Sequence, residues 1–282
     1  MSGDTGFTIA DFGLPSAATS QIPAEHANRV AAVLDCPRPV PDGSALPFLW
    51  HWAFFTPESA TADLGRDGHP RMLPGSPTQG LPRRMWAGGR VSLHTDLLVG
   101  TPATRHSHLH RFQRKMGRRG PLVVVTVAHK IRQAGRLVVS EEQDLVYLPP
   151  RDTAETMALP SGDHHPAAPK GGWVERRVFD AMTLFRFSAA TFNSHRIHYD
   201  RDYAMAEEGY PRPVVHGPLT AILLAESASR TLGRGLRTIE FRAVNPLFEG
   251  LPVTIAGVAD NERIEMTAVR NDRAVAMTSI LT

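Results

Sequence analysis

The segment Phe185–Ser227 (FRFSAATFNSHRIHYDRDYAMAEEGYPRPVVHGPLTAILLAES) holds three features that could do chemistry. In the first, Asn193-Ser-His195-Arg196-Ile-His198, an amide, two imidazoles and a guanidinium fall within six residues. An imidazole titrates near neutrality, so it can take up and return a proton at physiological pH. An amide cannot act as a base, but its carbonyl oxygen and NH₂ group can orient a water. His195 and His198 are three apart and share a face if the segment is helical. The second feature, Tyr199-Asp200-x-Asp202-Tyr203, is polar and expected at the surface. The third is His216-Gly217-Pro218, directly before an apolar run. A glycine N–H at a helix N-terminus makes an oxyanion site, because the dipole and the free N–H groups point the same way.

Plainer readings stand beside these. Two histidines are too few for a metal centre, and no Glu or Cys follows at a ligand spacing, so no metal is expected. His106, His108 and His110 alternate along a strand pattern and read as a solvated face, and His164-His165 fall in a linker. Gly217 could be only a helix-entry glycine, and Arg196 only a surface ion-pair partner. Trp50 and Trp52 read as core. Cys36 has no basic neighbour to activate it, and Ser188 and Ser194 lack the glycine-flanked elbow of a hydrolase serine.

The elements that must position these groups can be read outward from them. Pro218–Leu232, with Leu219, Ile222, Leu223 and Ala225 apolar and Gly233 as its stop, predicts a helix. Val178–Ser188 reads as a strand and 189–207 as a short helix with polar loops. Arg237–Val244, Val253–Val258, Arg263–Val269 and Ala274–Leu281 read as a four-stranded meander. In the first half a short helix carries Val30, Ala31, Val33 and Leu34, and Pro37, Pro39 and Pro41 end it. The aromatic run Phe48–Phe55 fits a strand or a helix. Residues 65–84 are loop chemistry. Trp86–Leu93, Pro102–Lys115, Leu122–Arg132 and Arg136–Leu148 form a second meander, joined through VGTP, GRRGP and QAGR turns. Both halves end alike, so an α+β plan with an internal duplication follows. The expected organisation is a flexible arm (1–24), a first domain (25–150), a linker (151–172) and a second domain (173–282).

Composition excludes other classes. The chain has 282 residues with 42% hydrophobic and 21% charged, ordinary for a globular protein. No apolar run approaches the roughly 18 to 20 residues of a membrane span, and the N-terminus has no basic region followed by an apolar one. The net charge of +3 is too weak to argue for nucleic acid. A single cysteine fits the cytoplasm. Of 31 basic residues only Lys115, Lys130 and Lys170 are lysines, and arginine forks bind phosphate and carboxylate bidentately.

Asn193-x-x-x-x-His198, followed about twenty residues on by Val215-His216-Gly217-x-Leu219, resembles the MaoC-like R-specific enoyl-CoA hydratases and hydroxyacyl dehydratases. FNSHRIHYDRDYA and YPRPVVHGPL resemble more closely the double hot-dog branch. That branch holds mesaconyl-C4-CoA (3-methylfumaryl-CoA) hydratase, itaconyl-CoA hydratase and the mitochondrial-type 3-hydroxyacyl thioester dehydratase. LWHWAFFTP, RRMWAGGRVSLHTDLLVG and GPLVVVTVAHKIRQAGRLVVSEEQDLVY are similar to its degenerate first hot dog, and the resemblance runs over roughly residues 25–282. It implies a double hot-dog fold, in which each sheet wraps a long helix and the acyl thioester lies between the units. It also implies His198, Asn193 and Gly217 as catalytic residues and His195, Arg196 and His216 as substrate-binding ones. The family motif is Asp-x-Asn-Pro-x-His; here Asn193, His195 and Arg196 replace its first three defined residues, and only His198 matches. The implied activity is reversible addition of water to an α,β-unsaturated acyl-CoA, favouring a short branched dicarboxylic chain. No cofactor is implied beyond coenzyme A as carrier, and no partner beyond the substrate and further copies of the chain. Alternatives are a 3-hydroxyacyl-ACP or -CoA dehydratase of fatty acid metabolism, a hot-dog thioesterase, and an acyl-CoA-binding module without catalysis.

Overall fold

The computed structural model describes residues 6–56, 58–117, 120–151, 156–260 and 262–282. In chain order the strands are β1 (Ala17–Ser20), β2 (Arg83–Leu93), β3 (Ala103–Gly117), β4 (Gly120–Gln133), β5 (Arg136–Leu148), β6 (Trp173–Val178), β7 (Thr238–Ala243), β8 (Pro252–Ala259), β9 (Ile264–Arg270) and β10 (Val275–Leu281). The α-helices are α1 (Ala24–Val33), α2 (Ala181–Ala190), α3 (Arg201–Ala206) and α4 (Gly217–Leu232). All ten strands join one sheet, ordered β1-β3-β4-β5-β2-β7-β10-β9-β8-β6. Read from each end inward, the two halves repeat the same order, and they meet where β2 pairs antiparallel with β7, Gly89 opposite Phe241. This is the double hot-dog α+β plan. The meanders differ from expectation in one way: β2 and β7 lie beside the last strand of their own half, not the next one.

Helix α4 fills the second half. Pro218 sits in its first turn, where a missing N–H removes no helical bond, and Gly233 ends it at φ 64. Leu219 to Ala225 are all buried, as a helix enclosed by a sheet requires. The first half has no equivalent long helix among the described residues. Its aromatic run forms a single 3₁₀ turn, Trp50–Ala53, in which Trp50 is fully buried and donates its indole N–H to Glu226 Oε1 of α4 at 3.0 Å. One hydrophobic core takes residues from both halves.

Two expectations are corrected. Of the strand expected over Val178–Ser188, only Val178 lies in one, at the end of β6, and 181–190 form α2. The Asp180 carboxylate caps α2 by accepting the Thr183 N–H at 2.8 Å, and Leu184, Phe187 and Ser188 are buried at helical spacing. The N-terminal arm is not loose where it is described: Ile9–Phe12 is a 3₁₀ turn with Ile9 buried, and β1 pairs with β3. Residues 1–5 of that arm and 152–155 of the expected linker lie outside the described residues. The rest of 149–172 carries no helix or strand and lies along the second half, through Met157 N–H to Gly209 O and His164 N–H to Asn271 O. Among the described residues no helix is long and apolar enough to cross a membrane.

Candidate active site

The histidine loop leaves α2 through Phe192 at φ 49, and Asn193 then folds it back: its Oδ1 accepts the His195 N–H at 3.0 Å. A 3₁₀ turn over Arg196–His198 follows, and Asp200 caps α3 by accepting the Tyr203 N–H at 3.0 Å. The acidic Asp200–Asp202 stretch is therefore a helix start.

His198 Nδ1 lies 2.7 Å from the Val214 carbonyl oxygen. A carbonyl only accepts, so Nδ1 carries the proton and Nε2 keeps its lone pair. The His216 ring stacks on His198 at 3.7 Å between centroids, and His216 Nε2 is 2.9 Å from Ser188 Oγ. His195 meets His198 edge to face at 5.3 Å. On its other side His195 packs against His69 at 4.0 Å, a residue of the first half. His69 Nδ1 donates to Asp67 Oδ2 at 2.8 Å.

The loop around His69 is fastened to the histidine loop. Ser194 Oγ donates to the Gly68 carbonyl at 2.6 Å, and the Arg196 N–H to that of Asp67 at 2.9 Å. Gly68 must be glycine: its φ is +88, and a Cβ there would lie 1.8 Å from the Ser194 carbonyl oxygen.

Burial makes the charged imidazolium unfavourable at all four rings. It pushes His198 down to about 4. His69 is also lowered to about 4, by burial and then by the Arg84 charge. His195 and His216 fall well below the ordinary value, chiefly through burial. At neutral pH the cluster consists of neutral imidazoles, and His198 is a base with its lone pair free.

Gly217 opens α4 beside them, and the first N–H groups of a helix have no partner within it. Trp86 Cε3 lies 2.7 Å from where a Gly217 Cβ would be, so the close approach of the indole demands glycine here. Trp86 is held by stacking on Phe241 at 4.4 Å, across the β2–β7 seam. The register of β2 against β5 shifts between Trp86 and Gly88, a bulge that re-aims the side chains before it.

A cavity of about 170 Å³ is lined by His195, His198, Gly217, Thr220, Trp86 and Arg84, among others. A second, of about 540 Å³, shares Arg84 and Trp86 with it and also takes Asn193, His69, Arg105 and Gln143 into its wall. Three of the residues singled out from sequence, His195, His198 and Gly217, thus share one cavity, and Asn193 faces the adjoining one. His216 lines neither and backs His198. Arg196 also lines neither: its guanidinium is bonded to Asp200 Oδ2 at 2.7 and 3.0 Å and to the Arg66 carbonyl, and lies 4.3 Å above the Tyr203 ring.

Sequence reasoning missed Asp67, His69, Arg84, Trp86 and Arg105 as wall residues. The one available signal was an arginine at an inward strand position, where charge is unexpected. Asp67, His69 and His195 offer three ligand atoms within 4.8 Å of one another, which could hold a cation. The Arg84 charge acts on all three and opposes that use.

Comparison with known proteins accords with this geometry. The family profile described as "Hydroxyacyl-thioester dehydratase type 2" matches residues 49–249. The chain is 42% identical over 251 residues to a mesaconyl-C(4)-CoA hydratase of Chloroflexus aurantiacus, covering 88% of each chain. It is 24% identical to the mitochondrial hydroxyacyl-thioester dehydratase type 2 of Schizosaccharomyces pombe, over 73% of this chain and 75% of that one. Among solved structures, a MaoC-like dehydratase superposes with a TM-score of 0.69 at 16% identity, covering 97% and 98% of the two chains. A Mycobacterium tuberculosis protein described as a double hotdog fold does so at 0.53 and 14%, covering 95% and 96%. On both the family profile and the 42% identity, the chain belongs to the hydroxyacyl-thioester dehydratase type 2 family of hydro-lyases.

Proposed function

We propose that this chain is an acyl-CoA hydratase that adds water reversibly across the α,β-double bond of a short, branched, dicarboxylic acyl-CoA such as mesaconyl-C4-CoA. The observation that carries the reading is the 42% identity, over 88% of both chains, to a mesaconyl-C(4)-CoA hydratase. The thioester carbonyl oxygen accepts the Gly217 N–H, which stabilises the enolate-like charge that develops on addition. One such donor contributes roughly 3 to 4 kcal/mol to the transition state. His198 Nε2 takes a proton from water as the water oxygen bonds to Cβ, then returns it to Cα. The Val214 carbonyl fixes the tautomer that leaves Nε2 available. Asn193 shapes the loop through its bond to the His195 N–H and presents its amide to the adjoining cavity, where it helps to hold water. His195 lines the pocket beside the base, and His216 supports it from behind.

This chemistry calls for no cofactor, coenzyme A being part of the substrate. A cytoplasmic location and self-association belong to the same proposal, the latter open to size-exclusion measurement. The test is a panel of enoyl-CoA thioesters with and without an ω-carboxylate, followed by loss of enoyl-thioester absorbance and by free-thiol release. Absorbance loss without thiol, strongest on mesaconyl-C4-CoA, is the expected result. Thiol release would show a thioesterase, and binding without turnover would show a module that has lost catalysis.

A further inference from the structure

Two arginines of the first half stand in the wall of the larger cavity, and among the described residues neither forms an ion pair. Arg84 lies on β2 and lines both cavities. Its charge acts on the Tyr147 hydroxyl. Arg105 lies on β3 between the inward-facing Ala103 and Ser107. Its Nε is buried without a hydrogen-bond partner, and the Phe55 ring lies 5.4 Å from its guanidinium carbon.

The nearby carboxylates are already engaged. Asp67 accepts from His69 and lies within reach of the Arg84 charge without pairing with it, and Glu141 is bonded to His51 at 3.0 Å, Trp52 at 2.7 Å and Gln143 at 2.6 Å. The histidines around the cavity are neutral, so they add no competing positive charge. A partly buried guanidinium beside a cavity, with an N–H left over, is stable company for an anion. Burial lowers the Arg105 pKa, with the charge of Glu141 opposing that shift. By contrast Arg196, the arginine inside the motif, already has its carboxylate in Asp200.

We propose that the larger cavity is the subsite for the free carboxylate of the acyl chain, with Arg84 as its ion-pair partner and Arg105 as the second cation of the wall. The placement follows from the Gly217 N–H in the smaller cavity. A thioester seated there runs its acyl chain past Trp86, the residue both cavities share with Arg84. This assignment rests on the dicarboxylic reading of the substrate.

The experiment compares kcat/KM on mesaconyl-C4-CoA with kcat/KM on crotonyl-CoA, which has no ω-carboxylate, for wild type, Arg84→Gln, Arg84→Lys and Arg105→Leu. The readout is the ratio of the two. Arg84→Gln should lower it by about ten- to a hundredfold, the worth of a hydrogen bond to a charged group. Arg84→Lys should recover part of the loss, because it keeps the charge and loses the fork. Arg105→Leu should lower the ratio less than Arg84→Gln. Thermal melting of each variant separates a damaged fold from a damaged subsite, since misfolding scales both substrates alike. An equal fall on both through KM would mean that the arginines bind a phosphate of coenzyme A, and overturns the proposal. If the wild type does not hydrate mesaconyl-C4-CoA at all, the substrate reading and the subsite fall together. If it does and the ratio holds in Arg84→Gln, only the subsite falls.

Discussion

The two halves share a strand order but handle buried polar groups in opposite ways. In the first half Glu141 is sealed: His51, Trp52 and Gln143 all donate to it, and against the opposing effect of complete burial the His51 and Gln143 contacts hold its carboxyl down at about 2. In the second half the buried imidazoles are left with capacity. His198 uses one nitrogen on a carbonyl, and the Nδ1 of His216 has no partner. Full satisfaction rigidifies a core, whereas an unused lone pair beside a cavity can do work on a substrate. The difference traces to the helix. In the second half the start of α4 brings free N–H groups to the cavity; in the first half α1 lines neither cavity and the Trp50–Ala53 turn offers no such end. It provides walls instead: Trp86, Arg84, Arg105 and the Asp67–His69 loop.

The comparison breaks most visibly at Glu141. Glu141→Ala leaves three donors without an acceptor and should cost about 3 to 5 kcal/mol of stability, read by denaturant unfolding. A variant that keeps its stability but loses turnover would move catalysis into the first half. Next comes His198→Ala, which should fold normally and lose at least about a hundredfold in kcat, the low end for general acid–base catalysis. Near-full turnover would transfer the role to His195. Gly217→Ala puts a methyl group against the Trp86 ring and should destabilise by about 1 to 3 kcal/mol through overpacking, while lowering kcat/KM. Trp86→Leu in the same chain should return stability more than activity, since the smaller residue also changes the cavity wall.

The gentlest test is pH. His198, His69 and His129 are all pushed by burial to about 4, from an ordinary 6.5. Between those values the unfolded chain binds protons that the folded chain refuses. Stability is therefore full above pH 6.5 and declines as pH falls toward 4. Glu141 adds a second decline, from about 4.5 down to about 2. The acid limb of kcat/KM should lie near pH 4 to 5, with a flat profile through neutrality. A limb at 6 to 7 would show that the working histidine of the free enzyme is less buried than His198.

The sequence carried the strands well. Arg136–Leu148 has its observed ends, because Gln133-Ala-Gly-Arg136 is a turn on both sides of which β-branched residues resume. The helix expected over Pro218–Leu232 is legible from its apolar faces and its stop, and it begins one residue earlier, at Gly217. Val178–Ser188 was misread because Val, Phe and Leu there satisfy a strand pattern, while the Asp180 cap that decides for helix is a single side-chain bond. His198, His195 and Gly217 were visible as a local motif. His69, Arg84 and Arg105 were not, since no local spacing ties them to it: Ser194 meets Gly68 across 126 positions. Arg196 shows the converse. Local position made it a substrate contact, and an equally local partner, Asp200, holds it instead.

The single pairing of β2 with β7 also governs how the protein can be made. Gly89 pairs with Phe241, so until β7 is made β2 has an open sheet edge and Trp86, though it meets Trp52, lacks the Phe241 ring. Open edges and bare aromatic faces are what nascent chains aggregate through. Arg90 and its partners Glu142 and Asp144 place charge on that edge meanwhile, at 2.8 and 3.2 Å. The seam beside the cavity thus cannot close until Thr238–Ala243 has been made, well after β1 to β5 are available to pair with one another.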